Sequence, residues 1–214
     1  MLMEYVQRGG PVMYPLLACS VVALTVVTER LVFWMRLRRR REPERVERFL
    51  QTVQQGDYAQ AYEVGRSSLD PVLQVLVRGL VDRNLSPRLS MELKAKELLG
   101  QMGRYLGVLD TAITVAPLLG IYGTITGIIR AFGFLGASGV PDPRLVAAGI
   151  AEALITTAAG LTIALAVIPL YNHFLRRIER AAQEIEQRAT AVELILASRR
   201  HIEQTEPAFT EPTR

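Results

Sequence analysis

The sequence predicts an all-α membrane protein with three transmembrane helices and long helical extensions on the cytoplasmic side. Half of its 214 residues are hydrophobic, yet 21% are charged, a mixture typical of membrane spans joined to a charged aqueous part. Three segments each supply the roughly 20 mainly apolar residues that a helix needs to cross a bilayer. They run from 11 to 35, from 106 to 135 and from 145 to 175.

The first apolar segment is uncharged from Pro11 to Thr28. A cleaved signal peptide is the rival interpretation, but its basic residues would come before the apolar run. Here the basic cluster follows the run, so we interpret the segment as a spanning helix. Cys19 lies within it and has no second cysteine with which to form a disulfide or share a metal site.

Basic residues near the span ends predict the orientation, because lysine and arginine accumulate on the cytoplasmic side. They follow the first span, precede the second and follow the third: Arg36, Arg38, Arg39, Arg40, Arg41, Lys94, Lys96, Arg104, Arg176, Arg177 and Arg180. The opposite ends carry Arg8 and Arg144, and Arg130 is expected to snorkel outward. We therefore expect a short periplasmic N-terminus, 1–10, a periplasmic loop, 136–144, and a cytoplasmic C-terminus. These positions, without interleaved aromatic residues, indicate membrane lipid rather than nucleic acid as a partner.

The stretch 36–105 predicts a cytoplasmic helical insert between the first two spans. Apolar residues recur every three or four positions from Val46 to Val53 and again from Val72 to Leu80, the spacing of amphipathic helices. From Pro87, a typical first-turn proline, helical residues continue without a breaker pair into the second span. We expect a short helical bundle and one long helix that runs from the insert into the membrane.

The segment 176–201 predicts a second cytoplasmic helix after the third span. Its apolar residues step by threes and fours like the seam of a coiled coil. The stripe comprises Phe174, Ile178, Ala181, Ile185, Ala189, Val192 and Leu196. Such a stripe needs a partner, either a helix of another subunit or the insert of its own chain, and both can hold in an oligomer. Residues 202–214 lack an apolar period, so we expect a disordered tail.

Glu152 is the residue that packing alone explains least well, because it lies inside the third apolar segment. A charged side chain at mid-bilayer depth costs roughly 2.5–3.5 kcal/mol on insertion scales, so such residues usually face a bundle interior, a partner or a water-filled path. We therefore interpret Glu152 as functional. The alternative is a structural ion pair or a hydrogen-bonded carboxyl group between helices.

The second and third spans each have a narrow face of small residues with a threonine near its middle. The faces consist of Gly120, Thr124, Gly127 and Ala131 in the second span and of Ala153, Thr157, Gly160 and Ala164 in the third. Small faces let membrane helices pack closely, which could be their whole purpose. Because the two helices run antiparallel, however, both threonines fall near mid-membrane, with Glu152 a little more than one turn further out.

Helical geometry separates the polar residues of the third span. At about 100° per residue, Thr156 lies roughly 40° from Glu152, whereas Thr157 lies roughly 140° away. We expect Glu152, Thr156 and Ala159 to face one neighbour and Thr157 to face the small-residue side.

Two stretches resemble the ExbB/TolQ/MotA proton-channel family. They are GIAEALITTAAGL from Gly149 to Leu161, with Pro169 and Tyr171-Asn172 behind it, and LLGIYGTITGI from Leu118 to Ile128. The likeness continues in the first span at Gly10 to Met13 and at Glu29-Arg30-Leu31, so it covers the chain to about Arg200. The three-span layout is similar to ExbB and TolQ rather than to MotA, which has a fourth span.

The resemblance implies a subunit of an ion-driven motor in the cell inner membrane. In such complexes a homopentamer surrounds a dimer of a single-span partner similar to ExbD or TolR, whose membrane aspartate carries the ion. Thr124 and Thr157 match the family's pore positions, Glu152 matches its membrane glutamate, and Thr156 stands where relatives often have alanine. We expect Gly120, Gly123, Gly127 and Gly160 to pack helices. The expected ion is H⁺, with Na⁺ as the alternative, and no cofactor is expected.

A non-conducting membrane scaffold or signalling subunit is the competing hypothesis, because the tail could recruit partners while Glu152 only pairs with a neighbour. A motility motor of the same family is a further alternative, since the sequence does not identify the process that is powered. An enzyme is not predicted. His173 and His201 lie far apart in the sequence, and no nucleophile, metal-ligand cluster or phosphate-binding loop accompanies them.

Overall fold

A computed structural model of the chain describes residues 9–137 and 143–205, which form helices and no strand within those ranges. The helices are α1 (Met13–Arg39), α2 (Pro43–Gln55), α3 (Tyr58–Arg66), α4 (Pro71–Val81), α5 (Pro87–Gly103), α6 (Leu106–Ala137) and α7 (Pro143–Thr205). Of these, α1, α6 and α7 are long and apolar enough to cross a membrane. The structure thus confirms the predicted all-α class with three candidate spans.

The chain divides into two compact units. Helices α1 and α7 are continuous, and each contributes one part to either unit. The membrane unit comprises Met1–Val32 and Tyr105–Leu175. The insert unit comprises Phe33–Arg104 and Arg176–Arg214. Each unit therefore combines segments that are far apart in the sequence.

Prolines and capping side chains determine where the short helices of the insert unit begin. Pro43, Pro71 and Pro87 occupy the first turns of α2, α4 and α5, where a proline's missing N–H would have had no helical partner. The carboxylate of Asp57 accepts a hydrogen bond of 2.9 Å from the N–H of Gln60 and caps α3.

The hydrophobic core of the insert unit joins α2, α3, α4 and α5 to the C-terminal part of α7. Phe49, Leu73 and Leu76 are completely buried in it, and Ile185 and Val192 of α7 belong to the same cluster. The apolar stripe of the tail therefore packs against the insert of its own chain, which is one of the two partners that the sequence left open. Complete burial of one such side chain contributes about 1.5–3 kcal/mol.

Asp70 connects the starts of α2 and α4 to α7 at the polar edge of this core. Its buried carboxylate accepts hydrogen bonds of 2.8 Å from the N–H of Val72, which caps α4, and from the N–H of Glu42. The Nε of Arg41 lies 3.5 Å from the same carboxylate, and the Arg41 guanidinium also bonds to Glu184 of α7. The hydrogen bond to Glu184, together with the charge of Asp70, raises the pKa of Arg41.

The expectation of one long helix from the insert into the second span is wrong. α5 ends at Gly103, Arg104 is extended, and Tyr105 adopts a left-handed conformation with φ 65° before α6 begins. No proline or breaker pair marks this interruption in the sequence. A contact from a distant segment accompanies it, since the buried guanidinium of Arg30 lies 5.7 Å from the centroid of the Tyr105 ring, within the range of a cation–π interaction.

The boundaries of α7 differ slightly from those predicted. α7 is one helix of 63 residues that contains both the third span and the predicted tail helix. It continues to Thr205, past the expected end at 201. The remainder of the predicted disordered tail, 206–214, and most of the predicted N-terminal and loop segments, 1–8 and 138–142, lie outside the described residues.

In the membrane unit, α6 and α7 approach each other through their glycine faces. A Cβ atom added to Gly160 would overlap the carbonyl group of Ala116, and one added to Gly127 would lie 2.9 Å from the carbonyl oxygen of Gly149. Side chains at these positions would separate the two backbones, so the glycines set the distance between the helices.

We expect Asp70→Ala to destabilise the protein more than Asp57→Ala. Both substitutions remove a helix N-cap, which costs about 1 kcal/mol. Asp70→Ala also deprives the N–H of Glu42 of its acceptor, which costs about 1–3 kcal/mol more if the group stays buried. Thermal unfolding of the full-length protein in detergent, followed by circular dichroism, measures the difference. Equal melting temperatures would show that the Glu42 contact is dispensable.

We expect Gly160→Ala and Gly133→Ala to act in opposite directions. An added methyl at Gly160 overlaps backbone, and overpacking of this kind costs about 1–3 kcal/mol. At Gly133, in α6, nothing lies within 4 Å of an added Cβ, so the alanine should stabilise the helix by about 0.5–1 kcal/mol. The melting temperatures of the two detergent-solubilised variants test this, and a parent-like value for Gly160→Ala would contradict the close contact.

Candidate functional site

Two threonine hydroxyl groups meet between α6 and α7, where the glycine faces bring the helices together. The hydroxyl groups of Thr124 and Thr157 form a direct hydrogen bond with each other. Thr157 Oγ1 also lies 3.0 Å from the carbonyl oxygen of Gly120, and Thr124 Oγ1 lies 3.2 Å from that oxygen. A Cβ on Gly120 would stand 3.1 Å from the Cα of Thr157. The absence of a side chain at Gly120 therefore lets Thr157 reach a carbonyl group of the opposite helix.

The chemistry of this threonine pair is that of a small cluster of neutral oxygen atoms. Each hydroxyl group can donate one hydrogen bond and accept two, and both threonines are partly buried. Such oxygens can take the place of part of an ion's hydration shell or connect to a chain of waters. Neither threonine can carry a net charge at physiological pH, so the pair needs an acid from elsewhere to hold a proton.

Thr156 lies against α6, the helix that also carries the Arg130 partner of Glu152. Thr156 is fully buried against Gly123 of α6, whose added Cβ would overlap the Thr156 side chain. The Thr156 hydroxyl donates a hydrogen bond of 2.9 Å to the backbone carbonyl oxygen of Ala153. The backbone carbonyl oxygen of Glu152 lies 3.2 Å from the same hydroxyl. Because Gly123 has no side chain, α6 leaves room for Thr156. Ala159 packs toward a second neighbour, the cluster at the start of α1.

Glu152 forms an ion pair with Arg130 of α6. The Glu152 side chain is only 16% exposed, whereas that of Arg130 is 40% exposed. Arg130 Nε also lies 3.4 Å from the carbonyl oxygen of Thr126. The ion pair that the sequence left open as an alternative is therefore present within one chain, and Arg130 reaches Glu152 rather than only snorkelling outward.

The start of α1 lies against this ion pair. Gly10 has a left-handed φ of 68°, and a Cβ added to it would overlap the Glu152 carboxylate and lie 3.3 Å from Nη2 of Arg130. The carboxylate of Glu152 thus lies level with the beginning of a spanning helix rather than with its middle. A charge near the end of a span costs less than one at the bilayer centre.

The predicted site residues therefore make three different side-chain contacts, although the hydroxyl groups of Thr156 and Thr124 lie 2.9 and 3.4 Å from the same Ala153 carbonyl oxygen. Thr124 and Thr157 bond to each other, Thr156 packs on Gly123, and Glu152 pairs with Arg130. Within residues 9–137 and 143–205, no hydrogen bond joins the Glu152 carboxylate to a threonine hydroxyl. The structure shows where these residues lie. Their role in ion passage stays a prediction.

Sequence reasoning missed the contacts of Arg130 and Gly10 with Glu152. A usable signal existed for Arg130, because antiparallel packing of the two small-residue faces brings Gly127 to Gly149 and Ala153. That register places Arg130 within reach of Glu152, given the length of an arginine side chain. No comparable signal marked Gly10, because its contact depends on how the start of α1 packs against the other two helices.

Comparison with known proteins identifies the family. Residues 66–187 match the MotA/TolQ/ExbB proton channel family. The chain is 36% identical over 184 residues to ExbB-like 1 of Synechocystis, a match that covers 80% of this chain and 69% of that protein. It is 30% identical over 194 residues to ExbB-like 3 of the same organism, a match that covers 87% of this chain and 91% of that protein. An ExbB homolog of Methanothermobacter thermautotrophicus is 31% identical over 188 residues, covering 86% and 66%.

These matches confirm the resemblance that the sequence motifs indicated. The members of this family are channel or transport-energising subunits rather than enzymes, which confirms that prediction as well. Together with the three apolar helices, the matches make the chain a multi-pass membrane protein. The chain belongs to the MotA/TolQ/ExbB proton channel family and, within it, is of the ExbB/TolQ type.

Proposed function

We propose that this chain is the pore-ring subunit of an ion-driven motor complex in the cell inner membrane. Five copies would surround a dimer of a single-span, ExbD/TolR-like partner, and proton passage would energise outer-membrane transport or envelope processes. The N-terminus would be periplasmic and the C-terminus cytoplasmic. The observation that carries the proposal is the hydrogen-bonded pair of Thr124 and Thr157 at a close contact between two spanning helices.

The threonine pair supports an ion pathway because close packing of two membrane helices requires only small side chains, whereas these two side chains also carry hydroxyl groups. Among the described residues of the membrane unit, the other threonine hydroxyl groups bond within their own helix, as that of Thr162 does to the carbonyl oxygen of Ala158. Thr157 instead reaches Thr124 and the Gly120 carbonyl group across the helix contact. Four oxygens therefore gather near the middle of α6 and of the membrane-unit part of α7 when the Ala153 carbonyl oxygen, 3.4 Å from Thr124, is included.

The charges of the same helices support the need for a partner. The Glu152 carboxylate is held by Arg130, and Asp110 of α6 lies fourteen residues before Thr124, about 21 Å along a helix. Neither carboxylate contacts the threonine pair in the described structure. A membrane aspartate on a single-span partner would supply the missing acid, and the ion would pass between that aspartate and the threonine oxygens.

The surface of the membrane unit accommodates both lipid and further copies of the chain. Large apolar side chains cover its exposed faces: Ile121, Ile125, Ile129 and Phe132 on α6 and Leu154, Leu161 and Leu165 on α7. Lipid tails satisfy such side chains, and so do equivalent helices of neighbouring subunits. The proposed pentamer would use part of this surface.

A non-conducting scaffold is the second candidate function, and one observation favours it. The scaffold hypothesis requires Glu152 only to pair with a neighbour, and the Arg130 ion pair satisfies that requirement. Ion flux separates the two functions. A scaffold would carry no ions, so substitutions at the threonines or at Glu152 would leave its flux unchanged at zero.

We expect Thr157→Val to lower ion flux by about tenfold or more, equivalent to about 1.4 kcal/mol of barrier. Valine keeps the shape of threonine but removes the hydroxyl group that bonds to Thr124 and Gly120. The matched control is Thr162→Val, since the Thr162 hydroxyl is exposed and bonds within its own helix. Flux is measured in liposomes that contain the chain with its co-purified partner. Unchanged flux in Thr157→Val would remove the threonine pair from the pathway.

We expect Glu152→Ala to lower flux as well, because it removes the membrane carboxylate and leaves the Arg130 charge beside the path. Glu152→Asp is the companion variant, since it keeps the charge and shortens the side chain by one methylene group. The same liposome assay distinguishes the two proposed functions. If the parent complex carries ions and both Glu152 variants match it, Glu152 has only a structural role.

A further inference from the structure

One carboxylate connects all three spanning helices of the membrane unit. Glu152 belongs to α7, Arg130 to α6, and Gly10 to the turn that leads into α1. The N–H of Met13 donates to the carbonyl oxygen of Gly10 at 3.1 Å, so Gly10 is tied to the first turn of α1. A movement of α1 would therefore change the contacts of the Glu152–Arg130 ion pair.

Gly10 is adapted to this position in two ways. Its φ of 68° lies in the left-handed region, where side chains other than glycine are strained. The space that its Cβ would fill is taken by the Glu152 carboxylate, with Nη2 of Arg130 beside it. Backbone at Gly10 and the guanidinium of Arg130 therefore enclose the carboxylate from two sides, which accounts for its low exposure of 16%.

We propose that Gly10 and Arg130 form a latch that holds Glu152 in place and withholds its carboxylate from ions. Arg130 is a positioning residue in this latch, since it acts through Glu152 rather than on the ion. The guanidinium neutralises the carboxylate, so a cation gains little from approaching it while the pair is closed. If Arg130 let go of Glu152, or if the start of α1 moved away, the carboxylate would become accessible to ions. This inference rests on the proposed function, in which Glu152 borders the ion path.

The latch is tested by chemical labelling of carboxyl groups in membranes that contain the full-length chain. A hydrophobic carbodiimide reacts with an unpaired, protonated carboxyl group and spares an ion-paired carboxylate. Tryptic cleavage after Arg144 and Arg176 releases a peptide in which Glu152 is the only acidic side chain, so mass spectrometry measures its labelling directly. Asp110 serves as the internal reference, because it is exposed on α6 and has no ion pair among the described residues.

We expect little labelling of the Glu152 peptide in the parent, and labelling of Asp110 gives the background level for each variant. Arg130→Gln should raise labelling of Glu152 several-fold, because the neutral amide no longer holds the carboxylate. Arg130→Lys should stay near the parent, since it restores the charge. Gly10→Ala should raise labelling because its methyl group displaces the carboxylate, whereas the control Gly133→Ala should not. Arg130→Gln removes a tryptic site and joins Asp110 and Asp142 in one peptide, 105–144, so fragment ions assign the label in that peptide to one aspartate or the other.

Two results would overturn the latch. One is equal Glu152 labelling in the parent and in Arg130→Gln. The other is an equal rise at Asp110 and Glu152, which would show general opening of the membrane unit. The assay needs neither partner nor ion flux, so it separates the two proposals. A labelling response in a complex that passes no ions would show that Gly10 and Arg130 hold Glu152 but would reject the proposed function and with it the effect on ions. Flux without a labelling response would support the proposed function and reject the latch.

Discussion

The close approach of α6 and α7 is the constraint on which the rest of the membrane unit depends. In a bilayer, helices gain little from hiding apolar side chains, because lipid tails are equally apolar. Their association depends on close packing and on polar contacts, and glycine permits both. Backbone at Gly160 lies where a methyl group would overlap the Ala116 carbonyl group. At that separation the short side chains of Thr124 and Thr157 can touch, whereas wider spacing would leave each threonine bonding within its own helix.

Charge is arranged around this contact so that polar oxygens and ionised groups occupy different places. The threonine pair is neutral, and the Glu152–Arg130 pair lies beside the start of α1. An isolated charge in the span would cost roughly 2.5–3.5 kcal/mol at the bilayer centre, so pairing and a position near the helix end together make Glu152 tolerable. The same contacts tie α1 to the other two helices. One ion pair thus serves stability directly and, in the proposed complex, control of the ion path.

The features predicted correctly from the sequence are those that a single helix carries by itself. The three spans follow from apolar length, and each threonine's place on a small-residue face follows from the spacing within its own helix. The hydrogen bond between Thr124 and Thr157 is seen only once α6 and α7 are packed together. The break at Tyr105 could not be predicted, because its left-handed conformation is accompanied by a contact with Arg30, 75 positions earlier. The partner of the tail stripe was equally open, since a row of apolar residues indicates that a partner exists without identifying it. The fit of Thr156 against α6 could not be predicted, because a helical wheel shows direction but not the gap that Gly123 leaves opposite.

The separation of acid from hydroxyl groups bears on how the proposed complex would choose its ion. Two threonine hydroxyls and the Gly120 carbonyl oxygen can contribute neutral ligands to Na⁺ or hydrogen bonds to a hydrated proton. They cannot take up a proton themselves, and within the described residues no carboxylate of this chain contacts them. Selectivity would therefore be decided by the acid that the partner brings to Thr124 and Thr157. A fixed cluster of neutral oxygens suits such an arrangement, because it can receive an ion from a moving carboxylate without binding it so strongly that release becomes slow.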